Sequence, residues 1–238
     1  MASFLKQLFF GKTPQKFKLP VEAYKNQIII IKQIWNNETY NDFGIERIFR
    51  LFIAISQLFF PALLLRSISG RGGYLVKKIA IEFYVLLKFL LPIAFLAFGL
   101  AKNEFVFIFT IYLILETLFY LANVVFLSDI NTKRISYKGT ILLIFLNYLE
   151  ITISFAVLYS HGNYLNKIFK NDFEAVYFSF ITTATIGYGD FSPATTQGQI
   201  LVIFQSIFFL AFLGIFLNFF TARIEDPSYY NNDKTDKR

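Results

Sequence analysis

At 238 residues, 55% hydrophobic, 20% aromatic and only 16% charged, the chain has more apolar surface than a soluble core can hide, since soluble domains carry about 25% charged residues. Its natural solvent is a lipid bilayer. With no Cys and one His, His161, disulfides, thiolate metal sites and cysteine nucleophiles are excluded, and neither a nucleophile–base pair nor a metal cluster stands out, so an enzyme is not expected. A net charge of +7 in such a chain implies Lys and Arg facing anionic membrane lipid, with no nucleic acid as partner.

The N-terminus, MASFLKQLFFGK, lacks the long apolar run and cleavage site of a signal peptide. Residues 1–66 read as a basic cytoplasmic or interfacial region. Within it, Val21–Trp35 sets Lys25 and Lys32 beside Ile28, Ile29, Ile30, Ile31, Ile34 and Trp35, the pattern of an amphipathic helix lying on a membrane surface. Lys6, Lys12, Lys16, Lys18, Lys25 and Lys32 either sense anionic lipid or simply anchor and orient the chain. Leu51–Leu65 is apolar but only 15 residues long, bounded by Arg50 and Arg66 and interrupted by Gln57 and Pro61.

Crossing a bilayer takes about 20 apolar residues, and four windows supply them: Ile79–Ala101, Phe105–Leu127, Gly139–Ser160 and Gly198–Thr221. Four crossings with 51–65 kept at the interface place 19 Lys and Arg on one side, against Lys102, Lys167 and Lys170 on the other. Making 51–65 a fifth crossing equalises the two sides at 11 each. The positive-inside rule selects the first arrangement, with both termini cytoplasmic. The pair over 79–127 is expected at the periphery. Neither of its helices has the Lys or Arg at every third residue that voltage sensing needs. Lys88, Glu116 and Glu150 each fall near the middle of a spanning window, and intramembrane charges pair or face a protein interior; Lys88 is expected to pair with Glu116 or Glu150.

Between the last two windows, Phe173–Ala184 suits a helix too short to cross, and Thr185-Ile186-Gly187-Tyr188-Gly189-Asp190 follows it. A short helix and extended backbone returning to one face form a re-entrant loop, which membranes tolerate only where it is buried in protein or lines a watery cavity. Two glycines at alternate positions give access to torsions closed to other residues, so that successive carbonyls can face one axis. Rings of such oxygens replace the hydration shell of a cation. Thr185, Ile186, Gly187 and Tyr188 would each offer a backbone oxygen to such a cation, with the Thr185 hydroxyl adding an innermost ring and Gly189 completing the strand. The negative C-terminal end of the short helix favours cations near it.

Over roughly residues 139–222, about a third of the chain, this arrangement resembles the two-helix pore module of the potassium channel family, whose T-[VI]-G-Y-G-D filter is matched at every position. The resemblance implies an all-α integral membrane fold: four transmembrane helices and a re-entrant pore helix per subunit, assembled as a homotetramer because one filter per chain cannot encircle an ion. It implies passive, K+-selective conduction at the cell (plasma) membrane with K+ as the permeant ion and no organic cofactor. It also implies that Tyr177 and Phe178 on the pore helix support Tyr188, and that Asp190 bonds to Tyr177. Relatives place Leu213, Leu217 and Thr221 along the cytoplasmic pore, where leucine rings could close by dewetting or instead face lipid and neighbouring helices. Gly214 is either a hinge or a close-packing site. Departures exist: Ile181 stands where some bacterial members have Glu, and Phe209 where a hinge Gly is common. Residues 223–238 form a short cytoplasmic tail. The alternatives are a weakly selective cation channel, against which Tyr188 argues, and a non-conducting regulatory subunit.

Overall fold

The computed structural model describes residues 23–37, 43–127 and 137–224. Lys6, Lys12, Lys16, Lys18 and residues 225–238 lie outside them. Apart from one isolated antiparallel bridge, Leu165 to Pro193, the regular structure among the described residues is helical: α1 Ala23–Asn36, α2 Ile45–Ser56, a 3-10 turn Gln57–Phe59, α3 Pro61–Gly70, α4 Tyr74–Ala97, a second 3-10 turn Leu100–Lys102, α5 Glu104–Phe126, α6 Tyr137–His161, α7 Asp172–Thr183 and α8 Thr196–Ile224. Four helices have segments long and apolar enough to cross a membrane: Val76–Ala97, Glu104–Phe126, Ile141–His161 and Thr196–Ile215. The first ends four residues before the expected Ala101, because Gly99 turns left-handed at φ 65° and the chain tightens into the 3-10 turn.

The fold divides into two compact units, Met1–Leu90 with Leu115–Lys133, and Leu91–Ile114 with Arg134–Arg238. In the first, Ile34, Ile53, Ala54 and Leu127 are buried together, with Ile30, Ile31, Leu51 and Ala122 packed around them. Helix α1 therefore sinks Ile34 into protein and donates Gln27 Nε2 to the Ala54 carbonyl at 2.9 Å, while Ile28, Ile29 and Trp35 stay exposed. Only part of its apolar surface is left for lipid.

The stretch expected as one helix over 51–65 is two helices meeting at a 67° bend. The sequence explains the break. A residue before proline is driven out of the α region, and Phe60 is extended at φ −105°, ψ 143°. Pro61 then opens α3, where its missing N–H costs nothing. The bend is held by Gln57 Nε2 donating to the Phe119 carbonyl at 3.1 Å, and by Phe52 and Phe60 against Phe119.

In the second unit α6 is the central post: every residue from Ile151 to Tyr159 is buried. Helices that are buried all round read as apolar all round, which is why its sequence shows no clear stripe. Edge-to-face ring contacts, Phe155 on Phe208 and Tyr148 on Phe212, lock α6 to α8.

Candidate functional site

The start of α7 is specified locally. Asn171 caps it, its side chain accepting from Glu174 N at 3.0 Å, and Glu174 reaches back to accept from Lys170 N at 2.7 Å. This is close to a capping box, with Asp172 and Glu174 complementing the positive helix end. The other end closes as a Schellman motif: Thr185 N donates to the Thr182 carbonyl at 3.1 Å and Ile186 N to the Ile181 carbonyl at 2.9 Å. The left-handed residue such a motif demands is usually glycine. Here it is Thr185, at φ 56°, although left-handed backbone costs a non-glycine residue about 1–2 kcal/mol.

From there φ alternates in sign. Thr185, Gly187 and Gly189 are positive at 56°, 58° and 81°, whereas Ile186 and Tyr188 are not. Alternation along five residues turns successive peptide groups the same way, instead of to opposite faces as in a strand. Ile186 is 52% and Tyr188 70% exposed in the single chain.

Around this segment, Tyr177 and Asp190 come together. Burial first, and then the nearby Asp190 carboxylate, push the Tyr177 phenol above its ordinary pKa. Asp190 Oδ1 is buried without a hydrogen-bond partner among the described residues. Phe178 is directed elsewhere: its ring packs edge-on to Tyr159 at 4.8 Å and against Phe169 and Phe191, so within one chain it braces α6 and the loops flanking the segment.

The far end is pinned by backbone. Asn166 N donates to the Ser192 carbonyl and Ala194 N to the Tyr164 carbonyl, both at 2.9 Å, while Ser192 N donates to Asn166 Oδ1 at 3.0 Å. Helix α8 then begins so close to this loop that a Cβ on Gly198 would lie 2.5 Å from the Tyr164 carbonyl oxygen. Nothing in the sequence pattern signals that approach.

A buried polar cluster, also missed by pattern reading, lies behind α7. Gln205 of α8 is 1% exposed; Tyr159 Oη donates to its Oε1 at 2.7 Å, and its Nε2 donates to Thr183 Oγ1 at 2.6 Å. The available signal was a lone glutamine amid the apolar run of α8.

Of the remaining expected residues, Leu213 and Leu217 of α8 are 45% and 58% exposed, Gly214 has open space where a Cβ would stand, and Thr221 lies within α8. Ile203, Phe204, Ile207 and Leu210 continue the same exposed apolar run. Lys88 and Glu116 are brought together, with Nζ 3.4 Å from Oε2. Lys88 also donates to Thr117 Oγ1 at 2.5 Å, and Tyr84 Oη donates to Glu116 at 2.7 Å. Glu150 is buried on α6, where Ser154 Oγ donates to it at 3.5 Å. His161 stacks on Phe107 at 4.3 Å, its Nδ1 3.1 Å from the Ala101 carbonyl and its Nε2 3.5 Å from Glu104 Oε1. Among the described residues no group of three or more His, Cys, Asp or Glu is placed to hold a metal ion.

Residues 141–226 match the family model described as "Ion channel". This stretch takes in α7, the alternating segment, all of α8 and nearly all of α6. Over 47 residues the chain is 40% identical to a hyperpolarization-activated voltage-gated potassium channel of Methanocaldococcus jannaschii, a match covering 20% of this chain and 22% of that relative. The chain thus spans about a fifth of the curated relative it matches. No solved structure matches it. Four membrane-length helices together with the ion-channel match make this a multi-pass membrane protein, and both matches are to ion channels, not to enzymes.

Proposed function

We propose that this chain is one subunit of a homotetrameric, K+-selective channel, with Thr185–Gly189 as its filter. The observation that carries the reading is the alternation of φ along Thr185, Ile186, Gly187, Tyr188 and Gly189, at the end of a short capped helix between two membrane-length helices. Alternation aims backbone oxygens at one axis, and four copies around that axis stack rings of carbonyls that replace water around a dehydrated cation. Thr185 contributes both its carbonyl and its hydroxyl. Its presence at a position that favours glycine is what function demands of that residue: the hydroxyl ring outweighs the local backbone cost.

The rest of the chain takes supporting roles in this reading. Tyr177 and Asp190 hold the outer end of the filter, and Phe178 braces its flanks. The exposed apolar run of α8 faces the pore and the neighbouring subunits, with Leu213, Gly214, Leu217 and Thr221 as the gate. The Lys88–Glu116 pair ties α4 to α5. The bent pair α2–α3 stays at the cytoplasmic leaflet of the plasma membrane, both termini are cytoplasmic, and basic residues of the N-terminal region contact anionic lipid. Voltage gating belongs to the relative's name and is not carried over, since α4 and α5 lack a ladder of basic residues.

Flux from K+-loaded liposomes tests this. Purified protein should release K+ when an ionophore for protons balances the charge, Ba2+ should block the release, and Tyr188→Asp should let Na+ through. Vesicles that hold K+ as tightly as empty ones, under every lipid composition and pH, would overturn the reading.

A further inference from the structure

Gln205 draws three helices onto one amide. Its Oε1 accepts from Tyr159 Oη of α6 at 2.7 Å. Its Nε2 reaches the Ser179 carbonyl at 2.9 Å, Ser179 Oγ at 2.8 Å and Thr183 Oγ1 at 2.6 Å, all on α7. The cluster extends further: Ser179 Oγ donates to the Thr152 carbonyl of α6 at 2.5 Å and Thr183 Oγ1 to the Ser179 carbonyl at 2.8 Å. The chemistry fixes the amide's orientation, because a carbonyl such as Ser179 O only accepts and must face Nε2. Oε1 is thereby left for the Tyr159 hydroxyl.

Simple helix packing does not need this. A buried amide is costly unless fully paired, and an apolar side chain of equal length would fill the same space, as the buried Phe208 and Phe212 do further along α8. What the amide adds is direction. It holds the last turn of α7 in one rotation about its axis, and Thr183, the residue it grips nearest the C-terminus, is two residues before Thr185. Small rotations of that turn swing the first ring of oxygens, because the Schellman bonds from Thr185 and Ile186 run back to Thr182 and Ile181.

We propose that Gln205, oriented by Tyr159, is a positioning residue for the filter: it sets the geometry of the innermost ion sites from behind the pore helix. This rests on reading Thr185–Gly189 as a potassium filter. The test is the permeability ratio PK/PNa from bi-ionic reversal potentials of reconstituted protein, with assembly checked by light scattering. Gln205→Met keeps length and apolar packing but removes every hydrogen bond. It should remain assembled with PK/PNa lowered roughly fivefold or more, the factor equivalent to the net worth of a single hydrogen bond. Tyr159→Phe, which frees Oε1 while keeping the ring contact with Phe178 and the Nε2 bonds to α7, should lower the ratio in the same direction by less, and the double variant should be no worse than Gln205→Met alone. An assembled Gln205→Met with the wild-type ratio overturns the proposal. Should Gln205→Met fail to assemble, a wild-type ratio in Tyr159→Phe overturns it instead. A wild type that passes no K+ sinks the channel reading itself, whereas a selective wild type beside insensitive variants sinks this inference alone.

Discussion

Lys88 offers the sharpest test of how the peripheral helices are held. Its side chain and that of Glu116 are 5% and 3% exposed, with charged atoms 3.4 Å apart. Thr117 accepts a second hydrogen bond from Lys88, and Tyr84 donates to Glu116. Removing one partner of a buried pair costs about 3–5 kcal/mol, chiefly because the other charge is stranded. In Lys88→Met the stranded group is Glu116, which keeps its Tyr84 donor, so the lower end, about 3 kcal/mol, is expected. At roughly 2–4 °C per kcal/mol for a chain of this size, that is a fall of about 6–12 °C in the unfolding midpoint. Lys88→Met with Glu116→Leu removes both charges together and should recover most of the loss, since exchanging a whole buried pair for apolar residues is often neutral. Thermal unfolding in detergent micelles, followed by size exclusion of heated samples, reads both. The reasoning is refuted if Lys88→Met unfolds within about 2 °C of the wild type, or if the double variant is as damaged as the single one, by the same conversion.

Three further outcomes follow from single contacts. Gly198→Ala puts a methyl group 2.5 Å from the Tyr164 carbonyl oxygen, a backbone atom that cannot swing aside; a loss of about 1–3 kcal/mol is expected from such overpacking, measured as the same unfolding midpoint. Thr185→Gly relieves left-handed strain at φ 56° while deleting the hydroxyl ring, so chemical unfolding of the variant should show stability no lower than the wild type, together with weaker Ba2+ block; a stability loss above about 1 kcal/mol would contradict the strain argument. Tyr177 has its pKa raised in the folded chain by burial and by Asp190, so its contribution is complete below the ordinary tyrosine value of about 10 and is lost as pH climbs through the raised one. Tyr177→Phe should accordingly be less stable near neutral pH and lose less than the wild type between neutral and strongly alkaline pH, followed by circular dichroism; parallel curves would reject the coupling.

What could be read in advance follows from how local each cause is. Long apolar windows at 79–101, 105–127, 139–160 and 198–221 locate membrane-length helices because hydrophobic length is a property of contiguous residues. Their ends shift by a few positions where a single torsion intervenes, as at Gly99. The stretch 51–65 was legible as apolar and broken by Pro61, but its 67° angle was not, because that angle is held by Phe52, Phe60 and Gln57 against Phe119 some 60 residues later. Within the candidate site, Gly187 and Gly189 advertise their torsions through residue type, whereas Thr185 hides the same conformation behind a side chain. Gln205 was invisible for a different reason. Its partners Tyr159, Ser179 and Thr183 are spread over two other helices, and each alone looks like an ordinary helix residue. Gly198 is likewise explained only by a carbonyl 34 residues earlier.

The most direct measurement is the reversal potential of the purified, reconstituted protein with K+ on one side of a planar bilayer and Na+ on the other. Carbonyl rings at Thr185–Gly189 require it to lie near the K+ equilibrium potential and to collapse toward zero when Tyr188 is replaced by Asp. A wild-type reversal potential near zero, with Na+ carrying as much current as K+, would contradict the account at its root.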